Sequence, residues 1–214
     1  MTPFPSKQRD TSLNHFISLF ITKILLLMTL NFLFILTSIP LFTIPISFSS
    51  MQKVIHGILS EKEQPSVFKA YFTAFKTDFL KSTILGIPFI LILVGLGYAS
   101  YYYYMNSTSV FFLGLSVFCI LLLLLVYSVA LMAFQMIPSV DLPIKSIVKN
   151  ALILNFSFPM VSLICAIGSL AIVITGLWFF PYSTPLLLLI VFSFSSYFVS
   201  FIVYPVIQKN IIKR

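Results

Sequence analysis

The sequence predicts an all-α fold, a polytopic transmembrane helical bundle with six crossings, or five as the alternative, arranged as three helical hairpins. Residues 82–140 and 150–208 are two runs of 59 residues without Asp, Glu, Lys or Arg, and residues 24–52 are a third, of 29. The 214-residue chain is 59% hydrophobic and 8% charged, whereas soluble domains are about 25% charged. Because a soluble fold could not cover so much apolar chain, we expect a single membrane domain.

The N-terminal part is predicted to be a cytoplasmic tail, 1–14, followed by one transmembrane domain, 15–214. The first span covers about 15–39, and Pro40 ends it because proline lacks the N–H that continues a helix. The next segment, 45–59, is short. Its fifteen residues reach about 22 Å as a helix, less than the ~30 Å hydrocarbon core. The sequence leaves open whether this segment is a short returning span or the lower half of one kinked helix.

Each long charge-free run has room for two spans and a tight turn. The first run gives spans at about 82–104 and 109–136, and the second gives spans at about 159–179 and 185–206. Aromatic residues gather at the outer ends of these spans: Tyr101, Tyr102, Tyr103, Tyr104, Trp178, Phe179, Phe180 and Tyr182. Such rings are typical of the membrane interface. The tyrosine row leaves a sugar-stacking surface open as the alternative.

The charged residues predict the orientation in the membrane. With six crossings, all 13 basic residues lie on one side, and the outer loops carry no charge. With five crossings, Lys7, Arg9 and Lys23 would lie outside. Because basic residues collect on the cytoplasmic side, we expect a multi-pass protein of the plasma membrane with both termini in the cytoplasm.

An amphipathic interfacial helix is predicted near 65–81. Aromatic side chains recur at helical spacing on one of its faces: Phe68, Tyr71, Phe72, Phe75 and Phe79. Lysines recur every seven residues on another face, at Lys62, Lys69 and Lys76. The helix is expected to lie in the inner interface with its rings in the lipid. It is either a plain anchor or a surface for a partner, and the three lysines are the candidate partner-docking residues.

The membrane interior offers little chemistry. Asn31 in the first span is a candidate for a polar contact with a neighbouring helix. Cys119 and Cys165 lie in apolar runs, and no His, Cys or carboxylate cluster has the spacing of metal ligands. We therefore expect no catalytic, cofactor-binding or metal site, no enzyme activity and no nucleic-acid partner. Small residues on the spans are compatible with a homo-oligomer.

One segment resembles a known family. Residues 30–59, LNFLFILTSIPLFTIPISFSSMQKVIHGIL, contain Ser38-Ile39-Pro40 and then Thr43-Ile44. This pattern, and the phenylalanine- and lysine-rich segment 68–85, resembles the YesL family of bacterial membrane proteins, a domain-of-unknown-function group (624). Pro45 stands where that family usually has glycine.

The resemblance implies a plasma-membrane protein of Gram-positive-type bacteria. Genes of that family often lie beside genes for carbohydrate import or degradation. The expectation is a non-enzymatic accessory factor in carbohydrate uptake or its regulation, with the lipid bilayer and carbohydrate importer subunits as partners. The alternative is a transporter, or transporter subunit, for a neutral solute, which an uncharged membrane interior would permit.

Overall fold

The computed structural model describes residues 13–60, 66–107 and 109–212, which form only helices and their connections. The helices before the last are α1 Leu13–Thr22, α2 Ile24–Thr37, α3 Ile44–Leu59, α4 Val67–Thr77, α5 Phe79–Met105, α6 Val110–Met136, α7 Ile144–Ser157 and α8 Pro159–Trp178. A 3₁₀ turn, Leu41–Thr43, precedes α3. The last helix, α9, covers Thr184–Ile211 and contains a π-helical turn at Leu187–Val191.

Four helices, α5, α6, α8 and α9, are long and apolar enough to cross a membrane. They correspond to the predicted spans 82–104, 109–136, 159–179 and 185–206. In their most apolar stretches, only 11% to 44% of the residues are buried inside the protein. Many of the remaining side chains are large, apolar and exposed. Because only hydrocarbon can cover such a surface favourably, the chain is an all-helical membrane protein.

The first predicted span, 15–39, is not one straight helix. Helices α1 and α2 meet at Lys23 with a bend of 71°. The two helices are held at separate places on α9, since the Phe16 ring packs on Tyr197 while Asn31 binds the π-helical turn. Counting the bent pair as one span gives five candidate crossings among the described residues. Helix α3 has 16 residues, or about 24 Å, so the structure leaves the predicted sixth crossing unconfirmed.

The predicted interfacial helix, 65–81, is shorter than expected. Helix α4 ends at Thr77, and α5 begins at Phe79 after Asp78. The aromatic face is also divided, because Tyr71 is buried against α3 whereas Phe68 and Phe72 remain exposed. Helix α4 is therefore fixed to the protein by one side of its aromatic face, and the other side stays available to lipid or a partner.

Two apolar cores hold the bundle together. The first joins α2, α3 and α4 and includes Leu30, Met51 and Tyr71. The second joins α5 to α9 and includes Met132 and Cys165. Helix α9 contributes to both cores, and α3 is almost fully buried between its neighbours. The contact between the two cores is where the polar side chains of the interior meet.

Candidate functional site

A cluster of polar side chains lies between α3, α6 and α9, and we call it the polar centre. It consists of Gln52 and His56 on α3, Gln135 at the end of α6, Ser139 just beyond it, and Ser200 on α9. Gln52, Gln135 and Ser200 have no exposed surface, and His56 is buried. Burial of this many polar groups among apolar side chains is unfavourable unless they bond to each other.

The groups of the polar centre form a connected hydrogen-bond network. Gln135 donates from Nε2 to Oε1 of Gln52 and to Oγ of Ser200, both at 3.0 Å. The Ser200 hydroxyl in turn donates to Oε1 of Gln52. Oε1 of Gln135 faces Nε2 of His56. One glutamine from α6 therefore connects residues of α3 and α9.

The hydrogen bonds fix the orientation of the His56 ring. Because the Gln135 carbonyl oxygen can only accept, His56 donates from Nε2. Its Nδ1 lies 3.0 Å from Oγ of Ser139, and the ring stacks on Tyr204 with centroids 4.4 Å apart. The imidazole is thus held on both nitrogens and on one face, which suits a residue that fixes the packing of three segments.

The pair of His56 and Ser139 has the separation of a catalytic base and its nucleophile. Two features favour a structural role instead. The ring is oriented by the neutral amide of Gln135, whereas a carboxylate would stabilise the positive ring that such a reaction forms. The Ser139 hydroxyl also lies 2.9 Å from the backbone carbonyl oxygen of Gln135, which competes with Nδ1 of His56 for its single proton.

Helices α3 and α9 retain unused hydrogen-bonding capacity in their buried side chains. Nε2 of Gln52 and the hydroxyls of Ser47, Ser49 and Ser196 are buried without a hydrogen-bond partner among the described residues. An unpaired buried polar group typically costs about 1–3 kcal/mol. Helices α3 and α9 therefore carry several buried polar groups that other described residues leave unpaired.

Asn31, the predicted intramembrane contact, lies on α2 and is fully buried. Its Nδ2 donates to the carbonyl oxygens of Leu187 at 2.8 Å and Leu188 at 2.7 Å. Its Oδ1 accepts from the backbone N–H of Ser193 at 3.0 Å. The side chain thus satisfies the backbone groups that the π-helical turn of α9 leaves available. This contact is separate from the polar centre.

The candidate docking lysines are only partly within the described structure. Lys69 and Lys76 are exposed on α4, and Lys62 lies outside the described residues. Tyr71 fixes α4 from the opposite side, with its hydroxyl 2.7 Å from Oγ1 of Thr37 and 3.2 Å from the carbonyl oxygen of Ser47. Lys69 and Lys76 do not take part in the polar centre.

The sequence offered a weak signal for the polar centre. Gln52 and His56 are four residues apart, so they share a helix face, and Gln135 interrupts a strongly apolar helix. Nothing in their spacing shows that the three side chains meet. Among the described residues, no group of three or more His, Cys, Asp or Glu side chains could hold a metal ion. Cys119 and Cys165 are buried and not bonded to each other.

Comparison with known proteins gives one family. The model described as "Protein of unknown function, DUF624" matches residues 27–100, which include α3, α4 and most of α5. No curated protein and no solved structure matches the chain significantly. The matched range contains the segments 30–59 and 68–85 that carry the YesL-like pattern. The predicted resemblance is thereby confirmed over residues 27–100, where the chain matches the DUF624 family model, consistent with a YesL-like protein.

Proposed function

We propose that this chain is a non-enzymatic accessory protein of the plasma membrane that acts in carbohydrate uptake or its regulation. It would dock on subunits of a carbohydrate importer through the exposed side of α4. The importer is suggested by the gene neighbourhoods of the YesL family, and the docking surface is suggested by the structure of α4.

The observation that carries this proposal is the division of α4 into a fixed side and an exposed side. Tyr71 is buried and bonds to Thr37 and Ser47, so α4 has a defined position on the bundle. Phe72 keeps 41% of its surface exposed, and Lys69 and Lys76 are exposed beside it. A rigid helix that presents both rings and cations can bind a partner with little loss of conformational entropy.

The interior supports a structural role over a catalytic one. In the polar centre, Gln135 bonds to Gln52 and Ser200, and its amide orients the ring of His56. Intramembrane polar groups that pair in this way are typical of contacts that hold helices together. The polar centre would then set the position of α3, and through α3 the position of α4.

The proposed sidedness places the lysines and both termini in the cytoplasm. Both termini lie on the same side only if the chain crosses the membrane an even number of times, and two arrangements satisfy this condition. The sequence predicts six crossings. Four crossings, by α5, α6, α8 and α9, give the same sidedness if α1 to α3 enter and leave from the cytoplasmic side. The positive-inside rule does not distinguish the two arrangements.

The test is affinity purification of the full chain in mild detergent from host cells grown on several sugars. Importer subunits should co-purify with the wild type. The variant K69A/K76A should lose them, because it removes the cations from the exposed side of α4. The variant K145A/K149A is the matched control, since it removes two exposed lysines from α7 and should retain the partner.

Two results would contradict the docking role. Retention of the importer subunits by both variants would show that the lysines of α4 are not the contact. Loss by both variants would point to a general charge effect and not to a defined surface. Purification without any importer subunit on every sugar would remove the support for the accessory role itself.

A second candidate function is the transport of a neutral solute, as a transporter or a subunit of one. The observation that favours it is the set of unpaired buried groups on α3 and α9, which includes the amide nitrogen of Gln52 and the Ser196 hydroxyl. Uncharged donors of this kind suit a hydroxylated solute. Flux of labelled sugars in proteoliposomes tests this candidate. A Gln52→Leu variant should reduce any flux observed, and no flux by the wild type would contradict it.

A further inference from the structure

We infer that α1, α2 and α3 form a re-entrant unit, which enters the membrane from the cytoplasmic side and returns to it without an aqueous loop on the outer side. The inference refines the proposed topology and depends on the sidedness proposed above, but not on any partner. It rests on the position of α3 beside two crossing helices and on the structure of the turn that precedes α3.

The first observation is the position of α3 beside α5. Gly86 lies against Pro45 so closely that a β-carbon added to Gly86 would overlap the proline ring. Gly86 is the eighth residue of α5, about 10 Å from its inner end and about 28 Å from its outer end. Further along α3, Lys53 pairs with Asp78 at 3.9 Å, at the inner end of α5. Helix α3 therefore runs along only the inner part of α5.

The position of α3 beside α9 leads to the same conclusion. Gln52 accepts a hydrogen bond from Ser200, which lies sixteen residues, or about 24 Å, from the outer end of α9. Only eight residues, or about 12 Å, separate Ile44 from Gln52. Helix α3 therefore begins about 12 Å short of the outer end of α9. Two independent neighbours thus place the start of α3 below the outer ends of the crossing helices.

The turn between α2 and α3 has the properties of a segment within the bilayer. Its exposed side chains are apolar: Ile39 is 71%, Leu41 77% and Phe42 61% exposed. The Thr43 hydroxyl bonds to the carbonyl oxygens of Thr37 and Pro40. Non-helical backbone at membrane depth requires such internal satisfaction, whereas a loop in water does not.

The bend between α1 and α2 explains how the chain can enter and turn. At 71°, α2 lies largely across the direction of α1. The furthest outward contact of this unit is Asn31 with Leu187, the fourth residue of α9. From there the chain passes through the 3₁₀ turn and returns inwards as α3. The three short helices thus form one inserted element, with the polar centre on its returning arm.

The test is labelling of single cysteines in whole cells by a membrane-impermeant maleimide added from the outside. The background is the full chain with Cys119 and Cys165 replaced by alanine. Reporters are Leu41→Cys and Phe42→Cys in the turn, where both side chains are exposed and the substitutions should not disturb packing. Ser107→Cys, in the connection between α5 and α6, is the positive control. Lys145→Cys is the control for the cytoplasmic side.

We expect labelling at position 107 from outside and several-fold less at positions 41 and 42, comparable with position 145. Labelling of Leu41→Cys or Phe42→Cys as strongly as Ser107→Cys would overturn the re-entrant arrangement and establish six crossings. That result would not contradict the proposed cytoplasmic position of both termini. Labelling of Lys145→Cys from outside would instead contradict the proposed sidedness, so the two failures are distinguishable.

Discussion

Gln135 on α6 donates a hydrogen bond from Nε2 to Oε1 of Gln52 on α3 at 3.0 Å, although the two residues are 83 positions apart. The same nitrogen bonds to Ser200 on α9, and Oε1 of Gln135 faces His56. One amide therefore connects the N-terminal core to the C-terminal core. In a membrane, where apolar packing alone discriminates weakly between helix arrangements, such a contact can determine which one forms.

Replacement of Gln135 by leucine should destabilise the protein. His56, Gln52 and Ser200 would each lose a buried partner, so we expect a loss of about 1–3 kcal/mol in the free energy of unfolding. A thiol-reactive fluorogenic dye can measure this on heating in detergent, because Cys119 and Cys165 are buried in the folded protein. The control is Gln208→Leu, the same change at a half-exposed residue of α9.

The double variant Q52L/Q135L should lose less free energy of unfolding than the two single variants lose together. When both amides are removed, neither leaves the other unpaired, so the effects are not additive. This double-mutant cycle is measured by the same thermal unfolding in detergent. Additive losses would indicate that the two amides do not act on each other in the membrane.

Replacement of Asn31 by leucine should release the π-helical turn of α9. Two backbone carbonyls and the Ser193 N–H would lose their partner, so we expect a loss of about 1–2 kcal/mol, near the upper range for contacts between membrane helices. Asn106→Leu is the matched control, because Asn106 is exposed and bonds only to the local Tyr102 carbonyl. An equal effect of the two variants would contradict the assigned role of Asn31.

Gly86→Ala should be destabilising, whereas Gly95→Ala, on the same helix, should be nearly neutral. The added methyl at Gly86 would overlap Pro45 and force α3 away from α5, at about 1–3 kcal/mol. At Gly95 nothing lies within 4 Å of the added carbon. The comparison of thermal midpoints tests the close contact that places α3 beside the inner part of α5. Similar midpoints for both variants would argue against that contact.

Lys81 should control the titration of Asp141, which lies in the connection between α6 and α7. A hydrogen bond from Lys81, and then its charge, lower the pKa of the Asp141 carboxyl below its ordinary value of 3.8. Since the pKa is lower in the folded state, this pair stabilises the protein above about pH 4 and loses its effect as the pH falls through the folded pKa. The contribution is small because Asp141 is exposed.

Carbon NMR of the Asp141 carboxyl measures that pKa directly. In Lys81→Met it should rise towards 3.8, whereas in Lys149→Met, which removes an exposed lysine of α7, it should remain at the wild-type value. An unchanged pKa in Lys81→Met would show that the ion pair does not persist in solution.

From the sequence alone one could predict the class of this protein and the four helices that are long and apolar enough to cross a membrane. A run of about 20 apolar residues without charge is typical of a membrane-spanning helix. Such a run can be recognised from the local sequence without knowledge of the packing. Aromatic residues at one end of these helices, and Lys81 and Lys209 near the opposite ends of α5 and α9, mark their limits for the same reason. Predicted and observed limits of α5, α6 and α8 accordingly agree closely.

Where the polar side chains meet, and how the first three helices are placed, depends on the packing of the bundle. Asn31 reaches Leu187 across 156 positions, and Gln135 reaches Gln52 across 83. Periodicity assigns each residue to a helix face, but it contains no information on which helix lies opposite or at what depth. The bend at Lys23 and the short reach of α3 follow from such contacts with α5 and α9. These features could not be predicted from the local sequence, because they are stabilised by contacts between residues that are distant in the chain.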